Sequence, residues 1–550
     1  MRKNQIFTAE ITGCTSQGLG VARLEERAVF IKGAIPGEVC RIKIVKITKT
    51  AVYGRLEEVL TPSPHRQAPE CPHFGRCGGC DFMHMDYELE TELKRQRVAD
   101  ALRRIGGVDP EPLSFVPAPS PWHYRNKAQF PVAMTESGAA AGFFRARSHD
   151  LIPVTRCLIQ PEEAELISQA VLSWMNQYHI LPYDEASHQG YIRHIFVRKA
   201  QMTGQIMVCL IANCETLPKR KQLVEAVLAA SSAVTTVIHN VNTRPGNVIL
   251  GGTYHTLYGA GYIEDELCGL RFRLSPASFY QINHHQAEVL YQKAIALADL
   301  HGTETVLDLY CGTGTITLCL AKAAGQAIGV EVIPQAIEDA EDNARRNGIE
   351  NVRFFCSDAD EAAQWLASSG IHPEVVTVDP PRKGLSQTVI DAIAAMAPER
   401  VVYVSCDPAT LARDVGLLQQ QGYRFRHAEA VDLFPRTKHV ETVVLLSKGE
   451  IDSRSIQVEL SLEDMDLSGF QSNVTYNQIK EWVKEQTGLS VSSLYIAQVK
   501  RKYGLAVGLN QNPAKAEGGR VPQCPPEKEA AIKAALEHFR LLPATRTEDA

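Results

Sequence analysis

The stretch "VVYVSCDPATLARD", residues 401–414, runs apolar and β-branched until it meets a Ser, a Cys and an Asp-Pro. A lone thiol where a buried strand gives way to a loop stands where reactive groups are mounted, and a thiolate is a strong nucleophile. A second turn of the same kind, "VDPPRKGL" (378–385), carries Asp379 and Arg382 at a strand end. Enzymes that methylate an exocyclic amine commonly place an aromatic ring after such a proline pair, to stack on the base; an arginine there argues against that chemistry.

"VLDLYCGTGTITL" supplies a donor site. Gly312 and Gly314 fall at a strand-to-helix turn, where backbone without side chains can approach a ligand. A dinucleotide fingerprint would want a small residue where Thr317 stands. Glu331, ending "IGVEV" some way on, is placed to accept hydrogen bonds from both hydroxyls of a ribose. Glycine turn plus acidic second strand suits S-adenosylmethionine better than NAD. With a methyl sulfonium as electrophile, the thiol acquires a purpose. Uracil C5 is a poor nucleophile, but a thiolate adding to C6 makes C5 an enolate carbon. A base must then take the C5 proton, and "RTKHVETVVLL" offers Glu441 on the neighbouring strand.

These groups need a scaffold that brings strand ends together. From about residue 275, apolar strand runs alternate with helical stretches such as "IPQAIEDAEDNARRNG", the pattern of a parallel, doubly wound sheet whose site lies at the carboxyl ends of its strands. The expected fold class is α/β: a Rossmann-like methyltransferase sheet over 271–450, an OB-type barrel of five short strands over 1–60, an α+β middle domain over 61–270, and a small helical appendage over 471–550. A helix expected over 87–105 could pack on the catalytic domain. Residues 450–470 read as an acidic connector. Helices in "TYNQIKEWVKEQTG" and "SSLYIAQVKRKYG" sketch a helix-turn-helix ending in Lys500, Arg501 and Lys502, a candidate RNA contact.

A net charge of −6 excludes a globally basic nucleic-acid binder, so any polyanion site is local. No run approaches the roughly 20 apolar residues of a membrane span, and the N-terminus lacks a secretion-type apolar segment, so a cytoplasmic protein without membrane contact is expected. Basic residues interleaved with aromatics in "HYRNKAQF", "GFFRARSHD" and "YIRHIFVRK" could meet phosphates and unstacked bases, or be ordinary solvated strands. Fourteen cysteines in such a chain are thiols or metal ligands before they are disulfides. Cys71, Cys77 and Cys80 form C-x5-C-x2-C in a glycine-rich loop, a spacing that suits zinc or an iron-sulfur cluster equally.

SFYQIN, DLYCGTGT, DPPRKG, SCDP and HVET, in this order and spacing, resemble the RNA uracil C5-methyltransferase family, specifically its 23S rRNA branch. The resemblance spans roughly residues 1–450. It implies a class I fold, Cys406 as nucleophile, Glu441 as proton-abstracting base, and S-adenosylmethionine contacts from Gln281, Tyr310, Glu331 and Asp379. It marks the barrel as a TRAM domain, an RNA-binding module. It adds Cys157 as a fourth ligand and tips the cysteine site toward a [4Fe-4S] cluster. The implied substrate is 23S rRNA; the sequence leaves the oligomeric state open, with a monomer expected. A tRNA-directed relative, or a noncatalytic RNA-binding protein on the same fold, are the alternatives; the second would be favoured had Cys406 or Glu441 been replaced.

Overall fold

The computed structural model describes residues 1–146, 148–449, 476–503 and 524–538. The acidic connector expected over 450–470 lies outside the described residues. At the N-terminus, period-two alternation builds a small β-barrel sheet. In Val39–Ile47, Cys40, Ile42 and Ile44 point inward while the polar residues between them face out. Six strands form it where five were expected, because the two residues Gly13–Cys14 pair with Leu19–Leu24 as an extra rung.

The middle region is a seven-stranded sheet. One face is covered by helices Glu162–Gln177 and Arg220–Ala230, with Trp174 buried beneath. The other face, through Phe196, Met207 and Ile238, shares a core with the hairpin Ile263–Leu267/Leu270–Leu274 and the helix His284–Ala298.

The catalytic sheet has eight strands in the order Val352–Cys356, Gln326–Glu331, Thr305–Asp308, Val375–Val378, Arg400–Ser405, Glu441–Lys448, Tyr423–Val431, Ser114–Val116. The strands from Gln326–Glu331 to Arg400–Ser405 run parallel, and Glu441–Lys448 inserts antiparallel beside the last of them. Its outer strand, Ser114–Val116, comes from the segment expected in the middle region and adds parallel to Tyr423–Val431. The helix Tyr87–Arg104 also belongs to this side of the molecule. Its Lys94 is 1% exposed and donates to Glu90 (2.7 Å) and to Asp432 (2.8 Å), anchoring the helix on the loop that follows Tyr423–Val431. Helix Asp86-capped start and basic last turn suit the peptide dipole.

The C-terminal part forms a unit of its own. Helices Tyr476–Thr487, Ser493–Lys502 and Pro526–His538 share a small core of Ile479, Val483, Ile496, Val499, Ile532 and Leu536. Of the basic run expected to face RNA, Lys502 pairs with Glu529 of the third helix. Among the described residues no helix is long and apolar enough to cross a membrane.

Candidate active site

Cys406 is the first residue beyond the strand Arg400–Ser405, and Asp407 behind it caps the next helix by accepting from the N–H groups of Ala409 (2.9 Å) and Thr410 (3.2 Å). Pro408 at the first helical position, with its fixed φ, makes the turn abrupt. The thiol is therefore held on a short, well-tied corner. Ser405 pairs with Thr442 across the antiparallel ladder, so one step further Cys406 lies across from Glu441. Glu441 is buried, and Asp379, at the end of Val375–Val378, stands beside both.

Charge follows from this crowding. Burial, with the Glu441 and Asp379 carboxyls behind it, pushes the Cys406 thiol up to about 11, while the exposed Arg382 beside it pulls the other way. Burial and the Asp379 charge raise Glu441 well above the ordinary carboxylate range, again opposed by Arg382. Asp379 itself is raised to about 7 by burial and by Asp308. One guanidinium thus faces a thiol and one acid, an arrangement that favours whichever of them becomes negative. Arg382 also lies 3.5 Å from His439 Nε2.

The glycine turn lies on the adjacent strands. Gly312 and Gly314 have φ of 55° and 81°, the left-handed region that glycine enters freely. A Cβ on Gly314 would come within 3.1 Å of Ala340 and Phe354, so the turn is tight on the protein side. Glu331 accepts from the N–H of Gly312 (3.2 Å) and of Ile333 (3.0 Å), which fixes its carboxylate at the mouth of the turn. Val332 and Ile333, just after it, are 53% and 55% exposed, an uncovered apolar ledge. Tyr310 is half-buried between the two strand ends, its N–H donating to Asp308 (3.4 Å).

Gln281 is buried on the loop between the hairpin and the helix His284–Ala298. Asn126 donates to its carbonyl (2.8 Å), and Thr313 of the glycine turn donates to the carbonyl of Phe279 (3.3 Å). Two groups that the linear pattern conceals shape this region. Arg198 is 1% exposed and its guanidinium donates to the carbonyls of Ser275 and Ser278, both at 2.8 Å. Asp308, in the DLYCGTGT turn, accepts from Thr317 (2.6 Å) and is raised to about 6 by burial. Its only sequence signal is an acid inside an otherwise apolar strand end.

Some side chains of the basic-aromatic stretches hold loops of the protein itself. Arg193 donates to the carbonyls of Asn242 (3.0 Å), Arg244 (2.7 Å) and Gly246 (3.0 Å), and Tyr124 to that of Pro435 (3.0 Å). Burial lowers Lys127 to about 8. The Arg193 guanidinium is thus engaged by loop carbonyls.

Cys71, Cys77, Cys80 and Cys157 all line one cavity of about 190 Å³, with Phe143 and Met83 closing it. All four are free thiols. Burial raises Cys80, and Cys157, Cys77 and Cys71 raise it further, as crowded thiols do. Among the described residues no group of three or more His, Cys, Asp or Glu is arranged to hold a metal ion. A second, larger groove of about 990 Å³ runs between the barrel loop at Thr12–Gln17 and the helix at Arg97 and Arg104, and reaches Asp407 and Lys438 beside the thiol.

A doubly wound sheet with a glycine turn, an acid on the second strand and a thiol-bearing corner after the fifth is the fold of a class I methyltransferase. The chain belongs to the tRNA (uracil-5-)-methyltransferase family, whose model matches residues 86–449, and a TRAM domain model matches residues 2–56. An uncharacterized RNA methyltransferase of Clostridium tetani is 41% identical over 447 residues, 81% of this chain and 97% of that protein. One from Halalkalibacterium halodurans is 42% identical over 447 residues, 81% of this chain and 98% of its own length. Among solved structures, the Pyrococcus abyssi tRNA (uracil-54, C5)-methyltransferase in complex with S-adenosyl-L-homocysteine shares the fold, with a TM-score of 0.65 at 24% identity over 80% of this chain and all of its own.

Proposed function

We propose that this protein transfers a methyl group from S-adenosylmethionine to C5 of a uridine in RNA, through a covalent bond between Cys406 and C6. The observation that carries the reading is the Cys406–Glu441 juxtaposition next to Arg382, adjoining the Gly312–Glu331 turn. The turn fits the cofactor on its own geometry: open glycine backbone, a fixed carboxylate for the ribose, and an apolar ledge for a purine. Glu331, Asp379, Tyr310 and Gln281 are the proposed contacts. When bound, S-adenosylmethionine supplies an electrophilic methyl group.

The residues then act in order. Cys406 loses its proton to water, and Arg382 stabilises the thiolate that burial disfavours. The thiolate forms a bond to C6, and the C5–C6 electron pair moves onto the enolate. C5 takes the methyl group, S-adenosylhomocysteine being the leaving group, and the C4 carbonyl is restored. Glu441, as carboxylate, removes the C5 proton; the C5–C6 double bond reforms, the C–S bond breaks, and the thiolate departs.

Four thiols around a cavity of about 190 Å³ support a [4Fe-4S] cluster held by Cys71, Cys77, Cys80 and Cys157. Four thiolates would equally suit a single zinc ion, and the resemblance to the uracil methyltransferases favours the cluster. The cluster would serve to hold this loop in shape, since uracil methylation moves no electrons. In this reading the barrel over residues 1–60 and the groove beside it hold RNA in the cytoplasm, while 271–450 perform the transfer.

The shared motif set makes 23S rRNA the proposed substrate. A tRNA is the second reading, because a tRNA-directed enzyme from Pyrococcus abyssi shares the fold over 80% of this chain. Mapping 5-methyluridine in rRNA and tRNA from cells lacking the protein decides between them. Loss of the modification from 23S rRNA alone is expected; loss from tRNA alone selects the second reading, and no loss anywhere removes both.

A further inference from the structure

We propose that Asp81 is a positioning residue for the methyl-transfer site: the segment following Cys80 clamps the backbone of residues 436–438 and thereby places His439 and Glu441. The inference rests on the reading of Glu441 as the base.

The clamp is made of several hydrogen bonds converging on one short loop. The N–H groups of Asp81 (2.8 Å) and Phe82 (3.1 Å) both donate to the carbonyl of Arg436. The Asp81 carboxylate accepts from the Lys438 N–H (3.1 Å) and faces its ammonium at 3.5 Å. From the other side Glu90 accepts from the Arg436 N–H (2.7 Å), and Tyr124 donates to the Pro435 carbonyl (3.0 Å). Arg436 needs such a grip. Its φ is +65°, a left-handed conformation that a non-glycine residue holds only when its surroundings impose it. Its side chain is locked as well, donating to the carbonyl of Met85 (3.2 Å) and lying 4.6 Å over the Trp122 ring.

What the loop delivers is catalytic. Two residues beyond Lys438 the strand Glu441–Lys448 is about to begin, and its first residue is the proposed base. Between them His439 reaches the Arg382 guanidinium, whose charge lowers the Cys406 thiol. The corner that presents the thiol and the turn formed by Gly312 and Glu331 receive none of these bonds. A disturbance at the cysteine loop should therefore reach proton removal and leave the cofactor turn alone.

The test uses the full-length, iron-loaded protein with Asp81→Ala, Asp81→Asn, Tyr124→Phe and Glu441→Gln. Asp81→Ala is expected to lower kcat by about tenfold to a hundredfold, the effect of a misplaced catalytic group. KM for RNA should stay within about twofold. A protein–RNA adduct should accumulate on denaturing gels, as in Glu441→Gln, because elimination stalls after methylation. Iron content and S-adenosylmethionine affinity should match the unaltered protein. Asp81→Asn, which retains an acceptor for the Lys438 N–H, should restore most of kcat. Unchanged kcat in Asp81→Ala, or a fall without adduct while Glu441→Gln forms one, overturns the proposal and leaves the base assignment standing. Absence of adduct in Glu441→Gln instead overturns the base assignment, and the proposal with it. Should Asp81→Ala lose iron, Tyr124→Phe, which removes only the bond to Pro435, must show the same adduct; normal turnover there overturns the proposal.

Discussion

Cys406 lies across from Glu441, one step beyond the Ser405–Thr442 pair of two antiparallel strands. Neither group is near a sequence neighbour that could serve it; the inserted strand Glu441–Lys448 makes them adjacent. A thiol that burial and two carboxyls hold near 11 is poorly ionised at neutral pH, so its reactivity depends on what stabilises the anion.

Replacing the thiol separates the two halves of the reaction. Cys406→Ala is expected to abolish methyl transfer, read as tritium release from C5-labelled RNA, and to leave S-adenosylmethionine affinity unchanged by calorimetry. The cofactor turn at Gly312 and Glu331 makes no hydrogen bond to Cys406. Turnover near that of the unaltered protein would remove Cys406 from the mechanism.

Arg382→Met tests the cation that faces the thiol. Arg382 lowers the thiol against the raising effects of burial, Glu441 and Asp379, so its loss moves the thiol still higher. The thiolate fraction at neutral pH falls about tenfold for each unit of that rise. The rate kcat/KM should fall most at pH 7 and recover partly as pH increases. A uniform loss at every pH would assign Arg382 a role in binding instead.

The buried Lys94 gives a prediction on stability. Removing one partner of a buried ion pair typically costs about 3–5 kcal/mol, and Lys94→Met leaves Glu90 and Asp432 without their cation. Glu90 is already raised to about 7, by burial first, with Lys94 opposing. A carboxyl raised in the folded state contributes stability below its unfolded value and loses it as pH rises through the folded one. The variant, with Glu90 higher still, should be closest to the parent near pH 5 and weakest near pH 8, measured by urea denaturation at both. Equal destabilisation at the two pH values would contradict the pairing.

The cysteine site is tested by colour and content. Protein purified without oxygen should be brown and contain iron and sulfide, and Cys80→Ser should lose both. Colourless protein with stoichiometric zinc would replace the cluster with a single ion.

Much of the site was legible because its signals are local. A strand that ends in Ser405-Cys406, a cap and proline at Asp407-Pro408, and glycines at 312 and 314 declare themselves through the residues next to them. The same holds for the barrel, where alternation along Val39–Ile47 follows from the pleat alone. Other features depend on which distant segments meet. Lys94 finds Asp432 across 338 residues, and Asp81 finds Lys438 across 357. Ser114–Val116 becomes the outer strand of a sheet whose other strands begin at Thr305. Arg198 and Arg193 read as surface cations in an aromatic stretch, and turned out to be buried clamps on loop carbonyls. A charged side chain is stable in the interior only where the fold brings partners to it, and those partners lie far off along the chain. Sequence therefore determined the elements and the residue types at their ends; tertiary structure decided which charges were buried to hold those ends in place.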